Sequence, residues 1–194
     1  RALIYPLMLF LTAETAIQIA LPDLHVTWLC VTLLSVLYFT YCSEMWNQLD
    51  ALTGLLNQNS YLNRTAEMSR SGGLLIVFDV DNFKQVNDCY GHLQGDACLA
   101  AIAACLKKAY ACCGYCYRIG GDEFCVLLKN TAKEAACAEE FLRQLEKKRK
   151  ELTFLPTVSC GSAPLSGEDV VAVKDQADRA MYHHKKARKE RAAA

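Results

Sequence analysis

Apolar positions fall into two patterns along this chain, short unbroken runs and longer stretches at helical spacing, and their alternation predicts a layered α/β domain. Residues 74–78 contain no polar side chain, which predicts a strand buried on both faces. Residues 115–119 and 124–128 are rich in aromatic and β-branched side chains and flank Gly120-Gly121, a hairpin signal. Residues 157–163 predict a further strand. Helices are predicted over 97–110, which is rich in alanine, over the charged amphipathic stretch 133–152, and over 174–188, with a short helical turn at 82–88. Ahead of these lie two nearly uncharged apolar runs, residues 3–21 and 24–42, joined by Pro22-Asp23.

Acids stand where packing does not call for them. The hairpin tip reads Gly120-Gly121-Asp122-Glu123, placing two carboxylates between strands, where adjacent acids can hold a hard divalent cation and glycine admits a phosphate or another backbone. A solvated turn with acids serving solubility is the alternative. The buried run 74–78 ends in Asp79-Val80-Asp81, and strand alternation puts both aspartates on one face, so that one of them can join Asp122 or Glu123 around one or two Mg²⁺ ions. In the helical turn that follows, Lys84 can neutralise phosphate oxygens, and Asn87 carries the paired donor and acceptor that reads a base edge. Gly91-His92 then leads through Gly95-Asp96 into the alanine-rich helix, with Asp96 read as its cap. A nucleotide site fits this assembly.

The hairpin Arg118-Ile119-Gly120-Gly121-Asp122-Glu123-Phe124 resembles the signature of GGDEF domains, the bacterial diguanylate cyclases. Further elements resemble family motifs in order and spacing: Asp50-Ala51-Leu52-Thr53-Gly54-Leu55-Leu56-Asn57, Phe78-Asp79-Val80-Asp81-Asn82-Phe83-Lys84, Asn87-Asp88, Gly91-His92, Gly95-Asp96, and Ala177-Asp178-Arg179-Ala180-Met181-Tyr182. The resemblance runs from Asp50 to about Lys189 and implies a mixed central sheet flanked by helices, as in adenylyl cyclase and polymerase palm domains. It implies that Asp79, the carbonyl of Val80, Asp122 and Glu123 hold Mg²⁺ (or Mn²⁺) on the phosphates of GTP. Asp122 is then the acid nearest the chemistry, with Glu123 and Lys84 beside it as catalytic candidates. Phe83, Lys84, His92, Gly120, Gly121, Lys185 and Lys189 are implied around the substrate, and Asn87 and Asp96 at the guanine edge. A carboxylate at position 96 accepts from the guanine N1 and N2 donors, which adenine does not offer. The implied reaction joins two GTP into cyclic di-GMP and two pyrophosphates across a homodimer, because each domain holds half of the active site. The competing reading is a degenerate domain that binds GTP or a protein partner without turnover.

Three departures from the family pattern stand out. Gln58 occupies a place commonly held by arginine, and Lys189, next to Arg188, occupies another; lysine keeps the charge there but loses the bidentate fork. Where many members carry an arginine-x-x-aspartate product-inhibition site, this chain has Ala111-Cys112-Cys113-Gly114, so no feedback inhibition of that type is expected.

The chain has 194 residues and a net charge of zero, which suits one domain plus a small addition and argues against a nucleic-acid polymer as partner. The addition is read as a transmembrane helical hairpin over residues 1–42, the end of a larger membrane sensor, followed by a signalling linker at 43–49 and the cyclase domain at 50–190. Trp28, Tyr38, Tyr41 and Trp46 fall partly where interfacial aromatics are expected. A soluble pair of core helices and a signal peptide are the alternatives. Glu14 is read as lying near the membrane interface, with a ligand or proton site facing other helices as its alternative. On this reading the hairpin lies in the cell inner membrane, and the catalytic domain is expected in the cytoplasm because GTP is cytoplasmic; the resemblance implies that it makes a bacterial second messenger there for signal transduction.

Of the eleven cysteines, Cys98, Cys105, Cys125 and Cys160 fall on apolar faces and act as small hydrophobes. Cys112, Cys113 and Cys116 cluster before the hairpin, and Cys113-x-x-Cys116 has redox or metal-ligand spacing, but a zinc site lacks a fourth ligand nearby in sequence, so free thiols are expected. His183 and His184 are expected on the surface of the last helix.

Overall fold

The computed structural model describes residues 9, 12–13, 15–17, 19–20, 27–46, 48–167 and 169–193, with side chains described for all of these except 27, 44–46 and 187–193. The chain divides into two units, residues 1–47 and 48–194.

In the first unit, the described residues between 9 and 20 are helical, and α1 spans Thr27–Trp46. Helix α1 therefore runs through Cys42 and takes in the first four residues of the expected linker. Hydroxyl residues interrupt its apolar surface, and the Thr32 and Thr40 hydroxyls donate back to the carbonyls of Trp28 at 2.8 Å and Val36 at 2.5 Å. Among the described residues no helix is long and apolar enough to cross a membrane, so the expected hairpin is not found there. Glu14, Pro22 and Asp23 lie outside the described residues.

The second unit contains α2 (Gln58–Ser71), β1 (Gly73–Val80), α3 (Phe83–Tyr90), α4 (His92–Tyr110), β2 (Gly114–Arg118), β3 (Glu123–Leu128), a 3₁₀ turn (Thr131–Lys133), α5 (Glu134–Glu151), β4 (Val158–Leu165) and α6 (Val170–Ala193). The sheet order is β2-β3-β1-β4. Every pairing among these strands is antiparallel, which corrects the expected mixed sheet. The parallel element is a single bridge from Leu56 to Tyr117, too short to make a strand.

The central strand β1 explains the layering. Leu74, Ile76, Phe78 and Val80 face one core with Phe124, Val126 and Leu128 of β3, covered by Leu99, Ile102 and Leu106 of α4 and Phe141 and Leu145 of α5. Leu75 and Val77 face the other core with Cys125, Leu127 and Tyr117, covered by Tyr61 and Met68 of α2 and Val173 and Ala177 of α6. Successive strand side chains point to opposite faces, so a strand with helices on both sides is apolar at every position. Cys98, Cys105 and Cys125 are buried as expected, while Cys160 is half-buried.

One close approach sets the position of α6. A Cβ added to Gly161 of β4 would lie 2.2 Å from the Met181 nitrogen and 2.3 Å from the Ala177 carbonyl oxygen. Only glycine lets the helix backbone settle onto the strand here. Lys185 follows Met181 by one helical turn and thereby reaches the end of β1.

Candidate active site

The acids gather where β1 and β3 end together. Asp79 pairs in register with Glu123, and the Val80 amide donates to the Asp122 carbonyl at 3.2 Å. Two carboxylates directly opposite on neighbouring strands repel each other unless a cation lies between or beside them. Lys185 supplies one: its Nζ donates to Asp79 Oδ1 at 2.6 Å and lies 3.5 Å from Asp81 Oδ1. Burial pushes the Lys185 ammonium down, but Asp79 and Asp81 outweigh it and hold its pKa above the ordinary lysine value.

The two aspartates do share a face, as strand alternation requires, but they have different jobs. Asp81 is buried and accepts from the Thr157 hydroxyl at 2.7 Å and the Ser159 hydroxyl at 2.8 Å, tying the end of β1 to the start of β4. Asp79 is half-buried and faces Lys185. Among the described residues no group of three or more His, Cys, Asp or Glu side chains is gathered closely enough to hold a metal alone.

Beyond the acids the chain turns sharply into α3. Asn82 takes the left-handed conformation at φ 54°, the one non-glycine residue to do so among those described, and its side chain does not cap the helix. The first amides of a helix have no partner within it, so this N-terminus stays open toward an anion. Phe83 packs half-buried against the core, and Lys84 is exposed. Helix α4 begins at His92, not near Ala97, so Asp96 is an exposed residue within the helix and not its cap. Gly91 both ends α3 and begins α4.

Asn87 and Gly95 meet between these helices. The Asn87 side-chain oxygen is buried with no hydrogen-bond partner, and a Cβ on Gly95 would lie 1.9 Å from it. A buried acceptor left unpaired is costly and marks a place where a donor belongs.

The hairpin is held from below by residues whose roles the sequence left unassigned. Arg118 donates to both oxygens of Asp50 at 3.1 and 3.3 Å and to the Gly121 carbonyl at 2.8 Å. Asp50 in turn accepts from the amide and hydroxyl of Thr53 at 2.9 and 2.6 Å. Burial pushes the Asp50 carboxyl up, but Thr53 and the Arg118 guanidinium together hold it below the ordinary aspartate range. The Asp50-x-x-Thr53 spacing, an aspartate three residues ahead of the amide and hydroxyl it accepts from, is a local signal readable in the sequence. Gln58 opens α2 at an exposed position behind the Asn57 cap, which accepts from the Ser60 amide. Gly120 and Gly121 are exposed at the tip, with Asp122 half-buried. His183 and His184 are exposed as expected, and the Lys189 side chain lies outside the described residues.

An antiparallel sheet backed by helices on both faces, with acids at the end of its central strands, defines an α/β domain built around a charged strand end. The family profile described as "Diguanylate cyclase, GGDEF domain" matches residues 47–191. The diguanylate cyclase DgcP of Pseudomonas aeruginosa is 38% identical over 160 residues, covering 73% of this chain and 23% of that protein. The cyclic di-GMP phosphodiesterase PdeR of Escherichia coli is 36% identical, covering 69% of this chain and 22% of that protein. The crystal structure of the GGDEF domain of DgcB from Caulobacter crescentus in complex with c-di-GMP superposes with a TM-score of 0.62 at 28% identity, over 72% of this chain and 91% of that one. The chain belongs to the GGDEF family of diguanylate cyclases and spans under a quarter of the length of these two curated relatives.

Proposed function

We propose that this chain is the catalytic module of a diguanylate cyclase, which binds GTP and, facing a second copy, joins two GTP into cyclic di-GMP with release of two pyrophosphates. The observation that carries the reading is the orphaned Asn87 oxygen beneath Gly95, a buried acceptor suited to the N1 and N2 donors of guanine. Asp96 lies on the next residue of the same helix and adds a carboxylate for those donors. The uncapped N-terminus of α3, with Phe83 and Lys84 in its first turn, supports a cradle for the β and γ phosphates. His92, Gly120 and Gly121 would border the nucleotide.

The donor set fits Mg²⁺ or Mn²⁺. Asp79, the Val80 carbonyl, Asp122 and Glu123 are hard oxygen ligands, and Asp79 already holds a cation in the form of Lys185. Such an ion, when bound, would neutralise phosphate charge. Lys185, released from Asp79, would turn its ammonium to the phosphates, with Lys189 a turn further on. Asp122 would take the proton of the ribose 3′-hydroxyl, and each hydroxyl would attack the α-phosphate held by the other protomer. Proximity and orientation of two domains would then set the rate. With no charge at Ala111 or Gly114, turnover would escape product inhibition of the arginine-x-x-aspartate type.

The domain would act in the cytoplasm, where GTP is found. Attachment to the inner membrane rests on the apolar sequence of residues 1–42 alone, and membrane fractionation of the expressed chain tests it. Incubation with GTP and Mg²⁺ followed by nucleotide separation tests the activity. Cyclic di-GMP that disappears in Asp122→Ala is expected, whereas GTP bound and never consumed would make the domain a regulatory module.

A further inference from the structure

The turn that leads into the hairpin carries a line of thiols. Cys112 is exposed, and its Sγ lies 3.0 Å from that of Cys113; the half-buried Cys113 Sγ lies 3.3 Å from that of Cys137, which is buried in the first turns of α5. Both separations are inside ordinary contact between sulfur atoms, and a bond needs the second pair to approach by about 1.2 Å more. Cys116, the partner implied by the Cys-x-x-Cys spacing, stands aside: its thiol faces the Leu106 carbonyl at 3.6 Å, and burial pushes its pKa up to about 12. The sequence alone could not reveal Cys137, which lies 24 positions beyond Cys113.

We propose that Cys113 and Cys137 form a reversible disulfide, with Cys112 as the entry thiol that passes oxidation inward. A small disulfide RSSR, of the glutathione class, is the oxidant. The Cys112 thiolate attacks one sulfur of RSSR, giving a mixed disulfide and one thiol RSH, which carries off the Cys112 proton. The Cys113 thiolate then attacks the Cys112 sulfur and releases the second RSH. The resulting bridge joins adjacent residues in a strained eight-membered ring, and strained disulfides exchange readily. Attack by Cys137 on the Cys113 sulfur expels Cys112 as a thiol and completes the relay. In sum, two protein thiols and RSSR become one disulfide and two RSH.

The product closes a covalent ring through β2, the Gly-Gly-Asp-Glu tip, β3 and the 3₁₀ turn, fastening the base of the hairpin to α5. Lys129 donates its amide to the Cys113 carbonyl at 3.2 Å, so the two hairpin ends already meet at the site of closure. A reducing cytoplasm keeps the ring open, and oxidative stress closes it.

The test equilibrates the whole chain with graded mixtures of oxidised and reduced glutathione, followed by acid quenching, alkylation and peptide mapping without reductant. The expected product is a peptide pair linked through Cys113 and Cys137. In Cys112→Ser the same product forms at least about tenfold more slowly with an unchanged end point, as loss of an entry thiol requires. In the unsubstituted chain, oxidation also raises the hydrogen-exchange protection of the Lys129 amide. Glutathione adducts on Cys112 and exposed Cys89 without an internal bridge would overturn the proposal, as would a stable Cys112–Cys113 end product. An unchanged rate in Cys112→Ser would overturn the relay. These readouts use no nucleotide and stand independently of the function proposed above.

Discussion

Gly95→Ala tests the proposed role of Asn87 as a reader of guanine most directly. The added methyl would lie 1.9 Å from the Asn87 side-chain oxygen, 3.0 Å from its Cγ and 3.3 Å from Phe83 Cζ. The first distance is more than 1 Å inside any real contact, so Asn87 must turn away, while Phe83 need yield only a few tenths of an ångström. Within a helix, alanine is favoured over glycine by up to about 1 kcal/mol, which offsets part of the strain and keeps the domain folded. If Asn87 accepts from guanine, its loss should weaken GTP binding by about 1–3 kcal/mol, roughly fivefold to 150-fold in Kd. Isothermal titration with GTP and with ATP checks this, with thermal unfolding followed in parallel. GTP affinity should fall toward that of ATP while ATP binding changes little. In an Asn87→Ala background, Gly95→Ala should add less than about 0.5 kcal/mol, because the two changes remove the same interaction. Unchanged GTP affinity, or an equal loss for both nucleotides, refutes the assignment of Asn87 as the reader of guanine.

Removing the carboxylate in Asp50→Ala should destabilise the domain by about 1–3 kcal/mol in chemical denaturation, since Arg118 and Thr53 lose a charged partner at a mostly buried site. The Asp50 carboxyl is held below its ordinary value of 3.8, so its contribution is complete above that pH and is lost as pH falls through the folded value; unfolding midpoints should therefore drop more steeply in acid for the native chain than for Asp50→Asn. Gly161→Val should separate α6 from β4 and cost at least about 1–3 kcal/mol, lowering the melting temperature and weakening GTP binding through displaced Lys185; an unchanged melting temperature would contradict the close approach. Cyclic di-GMP added to a turnover assay should leave the initial rate unaltered, and strong inhibition relieved by changing Ala111 or Gly114 would show a product site where no charge stands.

Local chemistry was readable along the sequence, and pairings distant along the chain were not. The unbroken run at 74–78 announced a strand covered on both faces, and Gly120-Gly121 announced a hairpin, because each signal lies within one element. The sequence pattern carries no signal for helix α2, since its fourteen residues are mostly polar and only Tyr61, Thr65, Met68 and Ser69 are buried. Helix α4 starts at His92, ahead of the predicted 97–110, because Asp96 has the chemistry of a cap in the sequence, whereas Gly95 before it already lies inside the helix, where its missing side chain leaves room for Asn87. Strand direction depends on partners dozens of residues away and leaves no local signal, and the named strands pair only antiparallel where the family resemblance implies a mixed sheet. At the site the acids, Asn87 and Lys185 were legible as residue types. The division of labour between Asp79 and Asp81 depended on Thr157 and Ser159, which no local pattern connects to them.

The central place of β1 also bears on how the chain is made. In register, Leu75 meets Leu127 on one side and Ala163 on the other. At ribosomal speeds of 5–20 residues per second, the last of these partners emerges about 4–18 s after β1 itself. For that interval the most apolar strand of the domain has an open hydrogen-bonding edge and no complete helical cover. Such a strand is a template for wrong pairing with another nascent chain. Chaperone demand during synthesis should therefore centre on residues 74–78, and it should end only when β4 has been released.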